Sequence, residues 1–258
     1  MKTNKRFIFS IVLTFIFIFV FQVSDNINAV NRLDKKHYAE TVIFCFHDVN
    51  GKGKYSITKT QMEDIFNYLK TRYEVYSLET WKNKIANGSK FTKPPVVLTY
   101  DDGYPSIRKI VVPMLKRFNY GATLFVYLER YKTRSKFFTY LKNVPEFIEI
   151  GSHSLKHSDL KREYSKSMKA FYKEVYISRK KLEYVLGKKV TSWAWPYGSY
   201  DKKLVKLATR AGYTTQVSTD YKNANYYKQE ILSRYTIQQP NPVKQVISIL
   251  SKNYQHRP

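Results

Sequence analysis

Acidic residues are scarce: 20 Asp and Glu stand against 45 Lys and Arg over 258 residues, a formal charge of +25. Cysteine is nearly absent. Cys45 has no partner within the chain, which excludes a disulfide scaffold. Glycine and proline, nine of each, are too few for a collagen-like or low-complexity chain. No Gly/Ser linker and no repeat divides the sequence. What is present is apolar: 43% hydrophobic and 16% aromatic, with 23 Tyr and 16 Phe, enough to build a core and too much for a disordered chain. The length suits one large domain or two small ones.

The first 29 residues read as a leader. Lys2, Lys5 and Arg6 precede an uncharged run, Phe7–Phe21, of 15 residues, followed by a polar stretch ending at Ala29. This is the pattern of a secretory signal, and the run falls short of the roughly 20 residues a spanning helix prefers. A signal peptide or an uncleaved membrane anchor over 1–29, with a domain over 30–258, is therefore expected. The location would be secreted, cell-surface associated or N-terminally anchored. Without its leader the chain keeps +23. Such a chain is drawn to anionic wall polymers or lipid head groups, and no specific nucleic-acid partner is expected. The plain alternative is a lysine-rich solvated surface.

Apolar runs alternate with helical patterns. Val42–Phe46, Val96–Tyr100, Ala122–Tyr127, Phe147–Ile150, Val190–Trp195, Thr214–Val217 and Ile231–Ile237 read as strands. Thr60 and Glu63 have capping-box spacing before Met62, Ile65, Phe66 and Leu69. Pro113 interrupts a helical face running from Ile107 to Phe118. The clearest helix spans Ser165–Leu186 and stops at Gly187. The alternation predicts an α/β protein with a mostly parallel sheet, at this length a distorted or incomplete (β/α) barrel whose site lies at the C-terminal strand ends.

Polar clusters occupy those ends. His47-Asp48 follows the first strand, Asp101-Asp102-Gly103 the second, His153 and His157 the fourth, and Pro196-Tyr197-Gly198 the fifth. Each alone has a structural reading: a helix-capping turn, a surface His pair, a packed turn. Together they can support metal chemistry. Two imidazoles four residues apart reach one side of a turn, and a carboxylate completes a three-ligand site with a place left for water. A divalent metal there lowers the pKa of water and polarises a carbonyl. Adjacent aspartates at a strand end point apart, so one can ligate while the other accepts a proton.

Thr-Tyr-Asp-Asp-Gly at 99–103, His-Ser-Leu-Lys-His at 153–157 and Trp-Pro-Tyr-Gly at 195–198 resemble the motifs of the polysaccharide deacetylases, carbohydrate esterase family 4 or the NodB-homology domain. Phe-His-Asp-Val at 46–49 resembles the circularly permuted poly-β-1,6-N-acetylglucosamine deacetylases of biofilm systems, in which the general-acid His lies near the N-terminus. The resemblance implies a NodB-like, permuted barrel. It implies metal-dependent N-deacetylation of an N-acetylglucosamine polymer, with peptidoglycan or chitin-type chains as the sibling substrates. Asp101 would be the base, Asp102, His153 and His157 the metal ligands, His47 the acid, and the Tyr197 main-chain N–H an oxyanion donor. Asp48 would orient a neighbour. Zinc suits these ligands, and cobalt, nickel or iron could serve.

Two positions depart from the family pattern. Where many members carry an Arg before Pro-Tyr-Gly, this chain has Ala194, and Arg234 is the candidate substitute cation. The family's C-terminal His motif is missing, since the sole histidine after His157 is His256. Other classes remain open on residue chemistry alone. Two His and one carboxylate also suit an iron oxygenase. The basic-aromatic segment Glu129–Asn143 reads as a solvated lid or as part of a wall-binding or single-strand-binding module. Cys45 reads as a buried small hydrophobe.

Overall fold

The computed structural model describes residues 40–130 and 134–254, so the leader expected over 1–29 lies outside the described residues. Eleven strands are present among them: β1 Glu40–Phe46, β2 Asp48–Val49, β3 Ser56–Ile57, β4 Glu74–Tyr76, β5 Pro95–Tyr100, β6 Ala122–Val126, β7 Ile148–Ser152, β8 Ser192–Ala194, β9 Thr215–Val217, β10 Ala224–Asn225 and β11 Tyr235–Thr236. β1, β5, β6, β7, β8 and β9 pair in that order, all parallel. β4 takes the lower half of the β5 edge, at Pro95–Val97, and β6 the upper, at Thr99–Tyr100. β10 is antiparallel to the start of β1.

The sheet curls into a distorted barrel. Its seam is spanned by the segment Leu232–Thr236, which bridges Val217 of β9 and then pairs as β11 with Phe44 and Cys45 of β1. Ser218 N donates to Leu232 O, Leu232 N to Gln216 O and Ile237 N to Cys45 O, at 2.9, 2.9 and 3.0 Å. This late segment brings Arg234 into the barrel.

Strand alternation sorts the core into two parts. Val42, Phe44 and Phe46 of β1 face outward and pack with Ile65 and Phe66 of α1 (Lys59–Lys70). Ile43, Val97, Phe125, Ala194 and Val217 fill the barrel, plugged from below by Leu78, Trp81 and Ile85 of α2 (Leu78–Ala86). β4 and α2 were not foreseen in the sequence. A polar layer sits near the plug: buried Glu149 accepts from Thr123 Oγ1 at 2.5 Å, from Ser192 Oγ and from Glu79 N at 3.0 Å.

Two local expectations are corrected and one is met. The capping box of α1 is Thr58 with Gln61: Thr58 Oγ1 accepts from Gln61 N (3.0 Å) and Gln61 Oε1 from Thr58 N (2.8 Å). At Pro113 the helix restarts, as the sequence leads one to expect. A widened turn at Ile107–Val111 leads into α3 (Val112–Phe118) and places the proline in its first turn, where a missing N–H costs nothing. The long helix expected over Ser165–Leu186 is interrupted. After α4 (Arg134–Lys142), α5 (Leu160–Lys166) ends at Ser167, which is extended and caps α6 (Met168–Tyr172) by accepting from Ala170 N at 3.0 Å. A π-turn at Lys173–Ile177 then joins α6 to α7 (Ser178–Leu186). Serine competes for its own backbone in this way, which the hydrophobic periodicity does not register. The last helices are α8 (Lys202–Arg210) and α9 (Pro242–Tyr254).

Candidate active site

The C-terminal ends of β1, β5, β7 and β8 converge on one cavity of about 380 Å³, walled by His47, Asp101, Asp102, His153, His157 and Tyr197. Asp101 leaves β5 pointing inward and is 2% exposed. The chain then turns through two left-handed residues, Asp102 (φ 69°) and Gly103 (φ 68°). This reversal separates the two carboxylates. Gly103 suits it, since a Cβ there would lie 3.0 Å from Val126 Cγ1.

β7 delivers His153 to the same centre. Its Nδ1–H donates to Ala194 O at 2.9 Å, which fixes the tautomer and leaves the Nε2 lone pair facing Asp102. Burial pushes the His153 imidazole down to about 4, so it is neutral and free to ligate. The loop to His157 is tightly held. Ser154 and His157 are left-handed (φ 77° and 61°), and Ser154 Oγ accepts from His157 N at 2.8 Å. Glu174 Oε2, buried, accepts from Leu155 N and Lys156 N at 3.1 and 2.9 Å. Sequence reading missed Glu174. Its position on the buried helical face with Phe171 and Val175 was the available signal.

Asp102, His153 and His157 offer ligand atoms that all lie within 4.8 Å of one another. Asp102 Oδ1 is 3.2 Å from His157 Nε2 and 3.5 Å from His153 Nε2, yet it is buried and makes no hydrogen bond. An orphaned carboxylate oxygen facing two imidazole nitrogens fits a cation between them. Burial raises the Asp102 pKa and the two imidazoles outweigh it, so the carboxyl lies below its ordinary value.

A second donor group, Cys45, His47 and Asp101, is equally compact. There the Arg234 guanidinium clamps Asp101, Nη1 to Oδ1 and Nη2 to Oδ2, both at 2.7 Å. Nη1 also donates to Thr99 Oγ1 at 3.0 Å and Nε to Ser218 O at 2.9 Å. Burial pushes the Cys45 thiol pKa well up, more than Arg234 lowers it, so the sulfur stays protonated and donates to Asp101 Oδ2 at 3.3 Å. A fixed guanidinium and a protonated thiol oppose a dication at this group, and the metal-binding geometry belongs to Asp102, His153 and His157.

Burial raises the Asp101 carboxyl pKa, but Arg234 outweighs it and holds the group far below the carboxylate range. His47 stacks on Tyr55 with ring centroids 4.9 Å apart, and its buried Nδ1 has no partner. Burial lowers its pKa against the opposing pull of Asp101 and Asp102. Tyr197 is left-handed (φ 59°), 70% exposed, and packs on His157 at 4.6 Å. Asp48 stays out of the cavity wall. Its Oδ1 accepts from Ser106 Oγ at 2.6 Å and Val49 N at 2.8 Å, bracing the loop after His47. Another cavity, about 410 Å³ between α4 and α7, is lined mainly by apolar side chains such as Leu128, Phe138 and Ile177 and gathers no such donors.

The family model described as Polysaccharide deacetylase matches residues 88–216, half of the chain. The matched stretch contains Asp101, Asp102, His153, His157 and Tyr197, but neither His47 nor Arg234. A polysaccharide deacetylase assignment is carried by YxkH of Bacillus subtilis (strain 168), 22% identical over 189 residues. That match takes in 70% of this chain and 65% of YxkH, so the chain spans less than two thirds of that relative. Among solved structures, the Streptococcus pyogenes deacetylase PplD in complex with acetate superposes with a TM-score of 0.68 at 19% identity, over 81% of this chain and 97% of that one. IcaB from Ammonifex degensii gives 0.65 at 17%, over 81% and 96%. At these identities the likeness is one of fold.

Proposed function

Because the chain belongs to the polysaccharide deacetylase family, we propose that it is a metal-dependent N-deacetylase of an N-acetylglucosamine polymer, with the poly-β-1,6-linked chain as the leading substrate. The observation that carries the reading is the orphaned Asp102 Oδ1 between His153 and His157, beside an Asp101 kept ionised by Arg234. The position of His47 at the end of the first strand favours the β-1,6 polymer, because it resembles the permuted biofilm enzymes.

A divalent cation held by Asp102, His153 and His157, with zinc suited to the donors, would acidify a water and polarise the acetamide carbonyl in this cavity. Asp101 accepts the proton as the water oxygen adds to the carbonyl carbon. Its clamp makes it a permanent carboxylate but a weak base, a match for a water that is already acidic. Negative charge gathering on the carbonyl oxygen meets the main-chain N–H of Tyr197. The C–N bond then breaks, acetate forms, and the departing nitrogen takes a proton from His47. Near neutral pH His47 starts neutral, so it must acquire that proton first. Asp101 and Asp102 favour its charged form. The domain expected over 30–258 acts in this reading as one deacetylase domain, and the expected leader would export it to a polymer outside the membrane.

The test is acetate release from poly-β-1,6-N-acetylglucosamine, chitin-type oligomers and peptidoglycan, with chelator and with metal added back. Acetate from the β-1,6 chain, lost with chelator and reduced about 10²–10⁴-fold by Asp101→Asn, is expected. No acetate from any polymer, or an unaffected Asp101→Asn, overturns the proposal.

A further inference from the structure

A smaller cavity, of about 210 Å³, opens between the start of α8 and the loops on either side of β10. It is separate from the catalytic cavity but is built on the same two turns. Gly198 and Thr219 wall the catalytic cavity, while Tyr200 and Asp220, just beyond them in the chain, wall this one. Its wall also holds Ser233, which is 0% exposed and whose hydroxyl has no hydrogen-bond partner. A buried hydroxyl left unpaired beside open space fits a polar ligand that supplies the missing partner.

The walls are fixed in place. Gln229 Oε1 accepts from Asn225 N at 3.0 Å and from Ser233 N at 3.4 Å, and its Nε2 donates to Asn223 O at 3.1 Å. Tyr200 Oη and Ser218 Oγ donate to Asp220 Oδ2 at 2.7 and 2.8 Å. Tyr221 N donates to Arg234 O at 3.1 Å, which ties the two loops together. A cavity shaped before binding spends little affinity on ordering its own side chains.

The lining also says what would fit. Lys202 and Lys222 are matched by Asp220 and Glu230, so neither sign of charge is in surplus to select an ion. Val205 and Ile231 add apolar surface. Donors, acceptors and short apolar patches in so small a space suit a neutral ring that carries hydroxyls and an acetamide. Hydroxyls both donate and accept, and the acetamide methyl takes the apolar contact.

We infer that this cavity binds an unreacted N-acetylhexosamine unit of the polymer while another unit of the same chain lies in the catalytic cavity. The inference rests on the deacetylase reading and deepens it, because it makes the substrate a chain held at two points. Linking the two sites through one ligand raises the effective concentration of the second contact, so a chain binds better than a single sugar.

The test is isothermal titration calorimetry on chelator-treated protein, with N-acetylglucosamine and its neutral β-1,6-linked pentamer as probes. Ser233→Ala removes a hydroxyl that has no partner to lose in the free protein, so stability should hold or rise slightly. The pentamer should bind it about fivefold more weakly. Lys222→Ala/Glu230→Ala, at two exposed positions, should also weaken the pentamer about fivefold. In both variants the gain in affinity from the single sugar to the pentamer should shrink. Lys188→Ala/Lys189→Ala, exposed just beyond α7, should bind as wild type does. In zinc-loaded protein the first two variants should raise KM for the pentamer by a similar factor, with kcat within about twofold of wild type. Unchanged pentamer affinity in both variants overturns the inference, as does a fall in kcat with KM unchanged. Acetate release with the same KM in wild type and both variants overturns the second sugar site alone. Pentamer binding that both variants weaken, without acetate release by the wild type, leaves the site standing and refutes the deacetylase reading instead.

Discussion

Arg234→Met removes the guanidinium that holds Asp101 and leaves a carboxyl that is 2% exposed without its partner. Breaking one side of a buried ion pair costs about 3–5 kcal/mol. The protein can limit the loss by protonating Asp101. Moving a carboxyl from about 3.9 to neutrality, at about 1.36 kcal/mol per pK unit, costs about 4 kcal/mol at pH 7, so the two routes give a similar ceiling. Folding holds the wild-type Asp101 pKa down, so its stabilising contribution is present above the unfolded value near ~3.9 and is lost as pH falls through the folded one. The gap between wild type and Arg234→Met should thus be widest near neutrality and narrow on acidification. Urea unfolding of metal-free wild type, Arg234→Met, Asp101→Asn and the double variant, from pH 4 to 8, measures it. The double variant should lose less than the sum of the singles by about 2 kcal/mol or more. Additive losses that stay flat with pH would refute the clamp as the source of Asp101's ionised state.

Two other predictions concern the barrel. Burial raises the Glu149 pKa against the donors around it. Its stabilising effect is therefore complete below the unfolded value near ~4.3 and is lost as pH rises through the folded one. Glu149→Gln should gain stability relative to wild type as pH rises from about 4 to 8, read by thermal unfolding, and a pH-independent difference would contradict this. At Gly151, a Cβ would lie 2.4 Å from Phe125 Cε1 and 3.2 Å from Ser192 O. Gly151→Ala should cost about 1–3 kcal/mol in urea unfolding, and an unchanged midpoint would show that Phe125 yields freely.

Much of this was legible because the site residues sit directly after strands that are continuous apolar runs. β1, β5, β6 and β7 are buried along nearly their whole length, and Asp101 and His153 follow from where they end. β8, β9 and β11 were located with looser bounds, since three- and two-residue strands carry little pattern. β4 and α2 escaped notice although they plug the barrel, because a three-residue strand and a nine-residue helix give weak periodicity. Arg234 could be suspected from the missing third-motif Arg, but its contact with Asp101 is 133 positions away in sequence and depends on the seam segment. The brace from Glu174 and the His153–Ala194 hydrogen bond are tertiary contacts with no local signature.

The most direct measurement is the metal stoichiometry and affinity of the chain, by titrating zinc into chelator-treated protein and into Asp102→Asn and His153→Ala. One ion per chain is expected. Each substitution should weaken binding by more than the ~10–100-fold that outer-shell partners usually contribute, while Cys45→Ser binds as wild type does. Unchanged affinity in Asp102→Asn, or a loss confined to Cys45→Ser, would place the ion elsewhere and contradict the account.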